Sequence, residues 1–348
     1  MKKFAASLAV CALIGSGAAL ATTPANAVGG GPNCCTGTVN TSILSTHESM
    51  VAELKKQDAK QSAMELEVIG QSVKGRDLML AKFITNPANP TVLYFTQQHG
   101  NEALNTEGAL DFIKSLGNSN KRLLDKVNIL VVPMVNPDGA MGDVDFPLDD
   151  YIAAGDRNLT RYNANKVDLN RDHVAKSQPE TQALHRMITK YQAQLGIDYA
   201  VDLHHQATRS ATDGELVSGS ILYPTSPEVD PAVVDGSKRL GSVVYNAIEP
   251  TGWGHIGKYD GGSATTISRN GIAAEYGIST LLFEMRGMAD HEYEQYVLGQ
   301  KSNGYLIKQT VVTMESTAKA IGDGSINTAD TSFWDTLPVQ ENLPPKKG

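Results

Sequence analysis

Three short stretches, far apart in the chain, carry residues able to build one hydrolytic metal site. In Gln98-His99-Gly100-Asn101-Glu102 a histidine and a glutamate stand three apart, close enough to hold one ion. Two later segments answer them: Tyr199-Ala200-Val201-Asp202-Leu203 leads into His204, and Ser279 to Phe283 leads into Glu284. Two histidines and a carboxylate leave a position on zinc open, and a separate glutamate beside it can move protons. The spacing alone is weak evidence, because the chain has 8 histidines and repeats it at His291-Glu292-Tyr293-Glu294. That second copy opens a surface helix, where acids near the N-terminus favour the helix dipole, and is read as structural.

Strands must deliver these groups. Thr91-Val92-Leu93-Tyr94-Phe95-Thr96, before His99, is apolar enough to be a buried strand. The His99/Glu102 pair then falls in the loop at its carboxyl end, where open α/β sheets bind ligands. His204 is followed by His205, and adjacent strand residues point opposite ways. A metal pair on a neighbouring strand end favours His204 over His205 as the third ligand. Glu284 leaves a strand expected to be buried, and desolvation raises a carboxyl pKa toward that of a useful base. The plainer alternative for Glu284 is a salt bridge to Arg286, two residues on.

Residues 136–176 show little periodicity, and a loop this long in a compact domain is usually functional. It contains Arg161-Tyr162-Asn163 and Asp168-Leu169-Asn170-Arg171-Asp172. Arginine binds carboxylates with paired hydrogen bonds and can stabilise an oxyanion.

The remaining elements follow from local signals. Alternation at 64–69 and 78–84 predicts a hairpin. A helix is expected near 103–116, stopped by Gly117, and a strand at 129–134, ended by a turn at Asn136-Pro137-Asp138-Gly139. Ser177-Gln178-Pro179-Glu180 reads as a capping box opening a helix that Gly196 ends. Further helices are expected near 231–248 and within 291–320. Strands alternating with helices argue for a single α/β domain, a mixed, mostly parallel twisted sheet with helices on both faces. It should span 46–321, between a Gly/Thr/Ser-rich segment at 28–45 and a loosely attached C-terminal extension at 322–348 that holds Pro338, Pro344 and Pro345.

The 348-residue chain opens with Lys2, Lys3, an apolar run from Phe4 to Leu20 and the small-residue site Ala25-Asn26-Ala27. This is the pattern of a bacterial-type signal peptide over 1–27, which implies a secreted or periplasmic protein. No later stretch is apolar and long enough to span a bilayer. Losing two lysines and no acid takes the net charge from −8 to −10. No basic stripe exists to hold phosphates, so a nucleic-acid partner is not expected. Cys11 leaves with the signal; Cys34 and Cys35 remain, able to form a vicinal disulfide or to stay as exposed thiols.

In this order the pieces resemble the M14 zinc carboxypeptidase family, over about Ile69 to Arg286. They are His99-x-x-Glu102, Asn136-Pro137-Asp138-Gly139, Arg161-x-Asn163, Val167-Asp168-Leu169-Asn170-Arg171, Pro179-Glu180-Thr181, Asp202-Leu203-His204 and Phe283-Glu284-Met285-Arg286. The resemblance implies one Zn²⁺ per chain, held by His99, Glu102 and His204. It implies Glu284 as general base, Arg161 as oxyanion stabiliser, and Asn170 and Arg171 as holders of a peptide's free C-terminal carboxylate. Zinc-activated water would then hydrolyse the last peptide bond. The family's mobile tyrosine matches Tyr259, with Tyr276 as a competitor. Three departures stand out: His205 where a small residue is common, His173 where an aromatic often follows, and Ala264 where the departing side chain is often read. The competing functions are a zinc amidase or deacylase, acting on peptidoglycan peptides or N-acyl amino acids, and an inactive carboxypeptidase-like binding protein.

Overall fold

The computed structural model describes residues 43–147, 159–206, 209–215, 217–252, 254–286 and 303–342. The signal segment, Cys34, Cys35 and the second His-x-x-Glu at His291 lie outside them. Among the described residues ten strands, β1 (Glu65–Gln71), β2 (Asp77–Phe83), β3 (Thr91–Thr96), β4 (Asn128–Val132), β5 (Ile197–Gln206), β6 (Arg209–Ala211), β7 (Gly219–Leu222), β8 (Ile256–Gly257), β9 (Ser279–Arg286) and β10 (Gln340–Asn342), form two sheets. Eight make one mixed sheet in the order β1-β2-β4-β3-β5-β9-β7-β8, and β6 pairs with β10. At its centre β4, β3, β5 and β9 run parallel, flanked by antiparallel β2 on one side and β7 on the other.

Side-chain alternation along these strands divides the core into two layers. Val92, Tyr94, Val201, Leu203, Leu281 and Phe283 face helices α2 (Leu104–Leu116), α5 (Pro231–Ile248) and α7 (Asn303–Asp323). Leu93, Phe95, Leu130 and Ala200 face α4 (Pro179–Leu195) and α6 (Ser268–Tyr276). A strand with both faces covered must be apolar throughout, which is why β3 and β4 read as continuous hydrophobic runs. The expected α/β architecture, with helices on both faces of a mostly parallel sheet, is what the chain adopts. Helix α1 (His47–Asp58) packs beside α2 and β1, with Met50 and Leu54 buried. Among the described residues no helix is long and apolar enough to cross a membrane.

Local expectations fail in instructive places. Asn136-Pro137-Asp138-Gly139 opens a short helix, α3 (Pro137–Met141), in which the Asn136 side chain accepts from the Gly139 N–H. Fully buried Asp138 then takes hydrogen bonds from Ser72 Oγ at 2.9 Å, the Lys74 N–H at 2.9 Å and Arg76 Nη1 at 2.7 Å, which ties the β1–β2 hairpin to this helix. The capping box before α4 is not formed. Gln178 is the N-cap and makes no side-chain cap, Ser177 Oγ donates to Asp172, and Glu180 accepts from the Val73 N–H and Asn163. Tertiary partners have outcompeted the local ones.

The C-terminal stretch, expected to be loosely attached, is packed on the body up to the end of β10. Trp334, in α8 (Phe333–Thr336), is 5% exposed; its ring lies edge-on to Tyr223 and its Nε1 donates to Lys238 O. Gly241 makes room for it, since a Cβ there would come within 2.2 Å of the indole. Pro344 and Pro345 lie outside the described residues.

Candidate metal centre and catalytic site

Strands β5 and β9 run beyond the apolar cores that announce them, so His204 and Glu284 lie within the ladder instead of in loops after it. The parallel register sets them directly opposite one another, His204 against Glu284. His99 and Glu102 come from the loop after β3. The chain turns sharply there at Gln97, which holds a left-handed φ of 55°, uncommon for a residue with a Cβ. The side chain of Gln97 fastens that turn by donating to Gly100 O at 2.8 Å. Gly100 allows the loop to lie on α3, because a Cβ would meet the Gly139 carbonyl carbon at 2.2 Å and Thr160 O at 2.6 Å.

These elements bring His99, Glu102 and His204 together, all three buried, with one donor atom from each lying within 4.8 Å of the others. The two imidazole Nδ1 atoms face each other at 3.1 Å. Glu102 Oε1 lies 2.7 Å from His99 Nδ1, and Oε2 lies 2.8 Å from His204 Nδ1 without the alignment of a hydrogen bond. The remaining ring nitrogens are each held by a carboxylate: His99 Nε2 by Asp168 Oδ1 at 3.0 Å, His204 Nε2 by Asp202 Oδ2 at 2.9 Å. Metal-ligating histidines are oriented in this way, which fixes the tautomer that leaves the other nitrogen free for the ion. Converging lone pairs, an unbonded carboxylate oxygen and outer carboxylates therefore fit a zinc ion. Of the adjacent pair, His204 is the one in the cluster; His205 stands outside it, buried, with neither ring nitrogen hydrogen-bonded among the described residues.

The electrostatics agree with the geometry. Burial works to raise the Glu102 pKa, but His99 and His204 outweigh it and hold the carboxyl well below its ordinary value. Burial works to lower His204, and Asp202 with Glu102 lifts it well above the usual histidine range. The pocket thus collects the positive charge that its carboxylates attract, and a cation would take that place. For Glu284 the sign reverses. Burial, assisted by the charge of Glu102, raises its pKa. The Tyr259 hydroxyl donates to Glu284 Oε1 at 3.0 Å, and burial with the adjacent carboxylate pushes that phenol well above its ordinary value. Tyr259, rather than Tyr276, meets Glu284; the Tyr276 hydroxyl bonds His185 Nδ1 at 2.9 Å instead.

Arg161 grips Asp168 Oδ2 through Nε at 3.1 Å and Nη2 at 2.9 Å, and its Nη1 lies 3.9 Å from Glu102. Asp168 therefore joins His99 to the Arg161 guanidinium. Burial would raise its pKa, but His99 and Arg161 hold it far below the usual carboxylate range. Asn170 is buried and accepts the Ser268 N–H at 2.8 Å, while exposed Arg171 donates to Asn170 O at 2.7 Å and pairs with no carboxylate among the described residues.

Sequence reasoning gave no role to Asp202, Gln98 or Ser268. Gln98 Nε2 and Ser268 Oγ both donate to Asp202 Oδ2, which also holds His204. The signal was present: an acid in the middle of an apolar strand needs buried partners. Gln98 Oε1 in turn accepts from His173 Nε2 at 2.8 Å, and His173 Nδ1 lies 3.0 Å from His185 Nε2. The departure at His173 is thus one link in a buried chain of hydrogen bonds that runs from the ligand shell to Tyr276.

This chain of histidines predicts an acid sensitivity. Burial, with Lys176 nearby, lowers the His185 pKa from 6.5 to about 4. The unfolded chain therefore takes up the proton first as pH falls. His185 contributes its stability in full above 6.5, and that contribution is lost as pH drops toward 4. Urea unfolding should show wild type losing roughly 3 kcal/mol relative to His185→Gln between pH 7.5 and 4. A pH-independent gap between the two proteins contradicts the buried neutral imidazole.

Residues 50–212 match the family model described as zinc carboxypeptidase, Peptidase_M14. Over that stretch, a little under half of its length, the chain is similar to the M14 zinc carboxypeptidase family. A "Zinc carboxypeptidase" of Saccharothrix mutabilis subsp. capreolus is 37% identical over 89 residues, which are 23% of this chain and 20% of that protein. The aligned stretch thus spans about a fifth of that curated relative. Among solved structures, the metallo-carboxypeptidase from Burkholderia cenocepacia has a TM-score of 0.59 at 18% identity, covering 80% of this chain and 69% of that one. The carboxypeptidase A from Helicoverpa armigera has a TM-score of 0.61 at 17% identity, covering 83% and 75%. At such identities these two structures establish the zinc carboxypeptidase fold. The family match ends before Tyr259 and Glu284, and in this chain the tertiary structure is what joins both to the metal cluster.

Proposed function

We propose that this protein is a secreted zinc metallocarboxypeptidase that hydrolyses the C-terminal bond of peptides. The observation that carries the reading is the placement of Glu284, opposite His204 in the β5–β9 register and beside the His99/Glu102/His204 cluster. When bound by those three residues, zinc would polarise the scissile carbonyl and favour ionisation of the attacking water. Glu284, its basicity raised by burial, takes the proton of that water and passes it to the leaving amine. Tyr259 orients the carboxylate of Glu284 through its 3.0 Å hydrogen bond. Arg161 lies at the rim of the cluster and meets negative charge developing on the carbonyl oxygen. Asn170 and Arg171 take the substrate's free carboxylate, for which the unpaired guanidinium of Arg171 is suited. The N-terminal signal pattern is the support for export. All four metal and base residues being brought together speaks against the inactive binding protein.

Anchoring by a carboxylate separates an exopeptidase from a deacylase or amidase of internal bonds. A free-acid peptide should be cleaved at least about 100-fold faster, in kcat/KM, than its C-terminal amide, as loss of a charge-assisted anchor of about 3 kcal/mol requires. Equal turnover of the two would overturn the exopeptidase reading.

A further inference from the structure

Beside the site lies a cavity of about 580 Å³ whose wall includes Tyr259, Leu222, Ser263, Trp334 and Arg269. Tyr259 belongs to both spaces, since its hydroxyl meets Glu284. Most of the wall is ordinary for a side-chain pocket, but Arg269 is not. It is only 2% exposed, yet among the described residues no carboxylate pairs with it. Its Nε donates to Tyr223 O at 3.1 Å and its Nη2 to Gly262 O at 2.5 Å, both neutral carbonyls. Nη1 has no hydrogen-bond partner among the described residues. Burial, with repulsion from Arg171, lowers the Arg269 pKa, although an arginine stays charged.

A buried guanidinium without a counter-charge is costly and is normally paired. Arg269 is held in place from two sides. Its carbonyl partners come from the end of β7 and from the loop after Tyr259. Gly261 leaves the space that the guanidinium fills, since a Cβ there would sit 3.2 Å from Nη2 and 3.3 Å from Nη1. Asp260 and Glu284 attract it from a distance, but neither pairs with it. Exposed Asp260 accepts the Gly262 N–H instead, and Lys258 donates its ammonium to Trp334 O. Ala264, which the resemblance puts where the departing side chain is often read, is exposed and absent from this wall. The net character of the cavity is therefore cationic, and the charge comes from a residue that no motif marked.

We propose that this cavity receives the side chain of the departing residue and that Arg269 selects an acidic one, so that the substrates are peptides ending in glutamate or aspartate. The inference rests on the carboxypeptidase reading above and adds the substrate class to it. A carboxylate entering the cavity would gain a charge-assisted hydrogen bond from the unoccupied edge of the guanidinium. A lysine or arginine side chain would be placed against a buried like charge. Glutamine, with the shape of glutamate and no charge, is the sharpest comparison.

The test measures kcat/KM of the zinc-loaded full-length enzyme on peptides differing only in the last residue: Glu, Asp, Gln, Leu or Lys. Wild type should release Glu at least about tenfold faster than Gln, and Lys slowest. In Arg269→Met the Glu-to-Gln ratio should fall to about one, and Arg269→Lys should retain part of it. Calorimetric binding of the Glu- and Gln-ended peptides to Glu284→Gln protein should show the same preference without turnover. Wild type that cleaves or binds Gln-ended and Glu-ended peptides equally overturns the proposal, and needs no folded variant. So does an Arg269→Met enzyme with an unchanged ratio, which would make Arg269 a staple for two carbonyls only. Release of no C-terminal residue from any of the five peptides would instead overturn the carboxypeptidase reading itself.

Discussion

Replacing Glu284 by Gln should lower kcat by about 10³-fold or more, the upper range expected when a general base is removed, while metal content stays at wild-type level. The substitution keeps the shape of the side chain and an Oε1 to which Tyr259 can donate, so packing is preserved. What it removes is the proton acceptor. Glu284 owes its basicity to burial and to the charge of Glu102, and no other carboxylate stands opposite His204 in the ladder. Assaying turnover beside zinc content by elemental analysis separates this from a lost site. Activity within tenfold of wild type would remove Glu284 from the role of base.

The second large effect is expected at His204. His204→Ala should reduce bound zinc from about one per chain to a small fraction. The loss of affinity should exceed the roughly 10–100-fold typical of losing an outer-shell partner. The metal-free protein should also lose about 3–5 kcal/mol of stability, because Asp202 and Glu102 would remain buried with one positive partner fewer. His205→Ala is the control for position: it removes a buried imidazole from the same strand, outside the donor cluster, and should retain the zinc. If His205→Ala loses the metal and His204→Ala retains it, the ligand assignment is wrong.

What could be read along the chain, and what could not, divides by the range of the interaction. Strand β3, helix α5 and the hairpin β1–β2 were legible because buried strands and amphipathic helices impose a periodicity that local sequence records. The capping box at Ser177 was locally sound but went unused, because Asp172, Val73 and Asn163 supplied partners for Ser177 and Glu180 that lie outside the helix. The packing of Trp334 was hidden for a similar reason. Its pocket is built by Tyr223 and Gly241, about a hundred residues earlier.

The chemical inventory is legible along the chain: His99 and Glu102 on one loop, His204 and Glu284 at two strand ends, Arg161, Asn170 and Arg171 on a long loop, and an α/β frame to carry them. Residue type and short-range periodicity suffice for that, since both are properties of the chain taken a few residues at a time. The fold is what places His204 and not His205 among the clustered donor atoms, and Tyr259 and not Tyr276 against Glu284. It also set Asp202 and Asp168 against His204 and His99 and left Arg269 at the wall of a cavity. Each of these depends on strand register, on which side of the sheet a chain segment crosses, and on which buried charges find partners. Those are contacts between residues distant in sequence, and no local pattern encodes them.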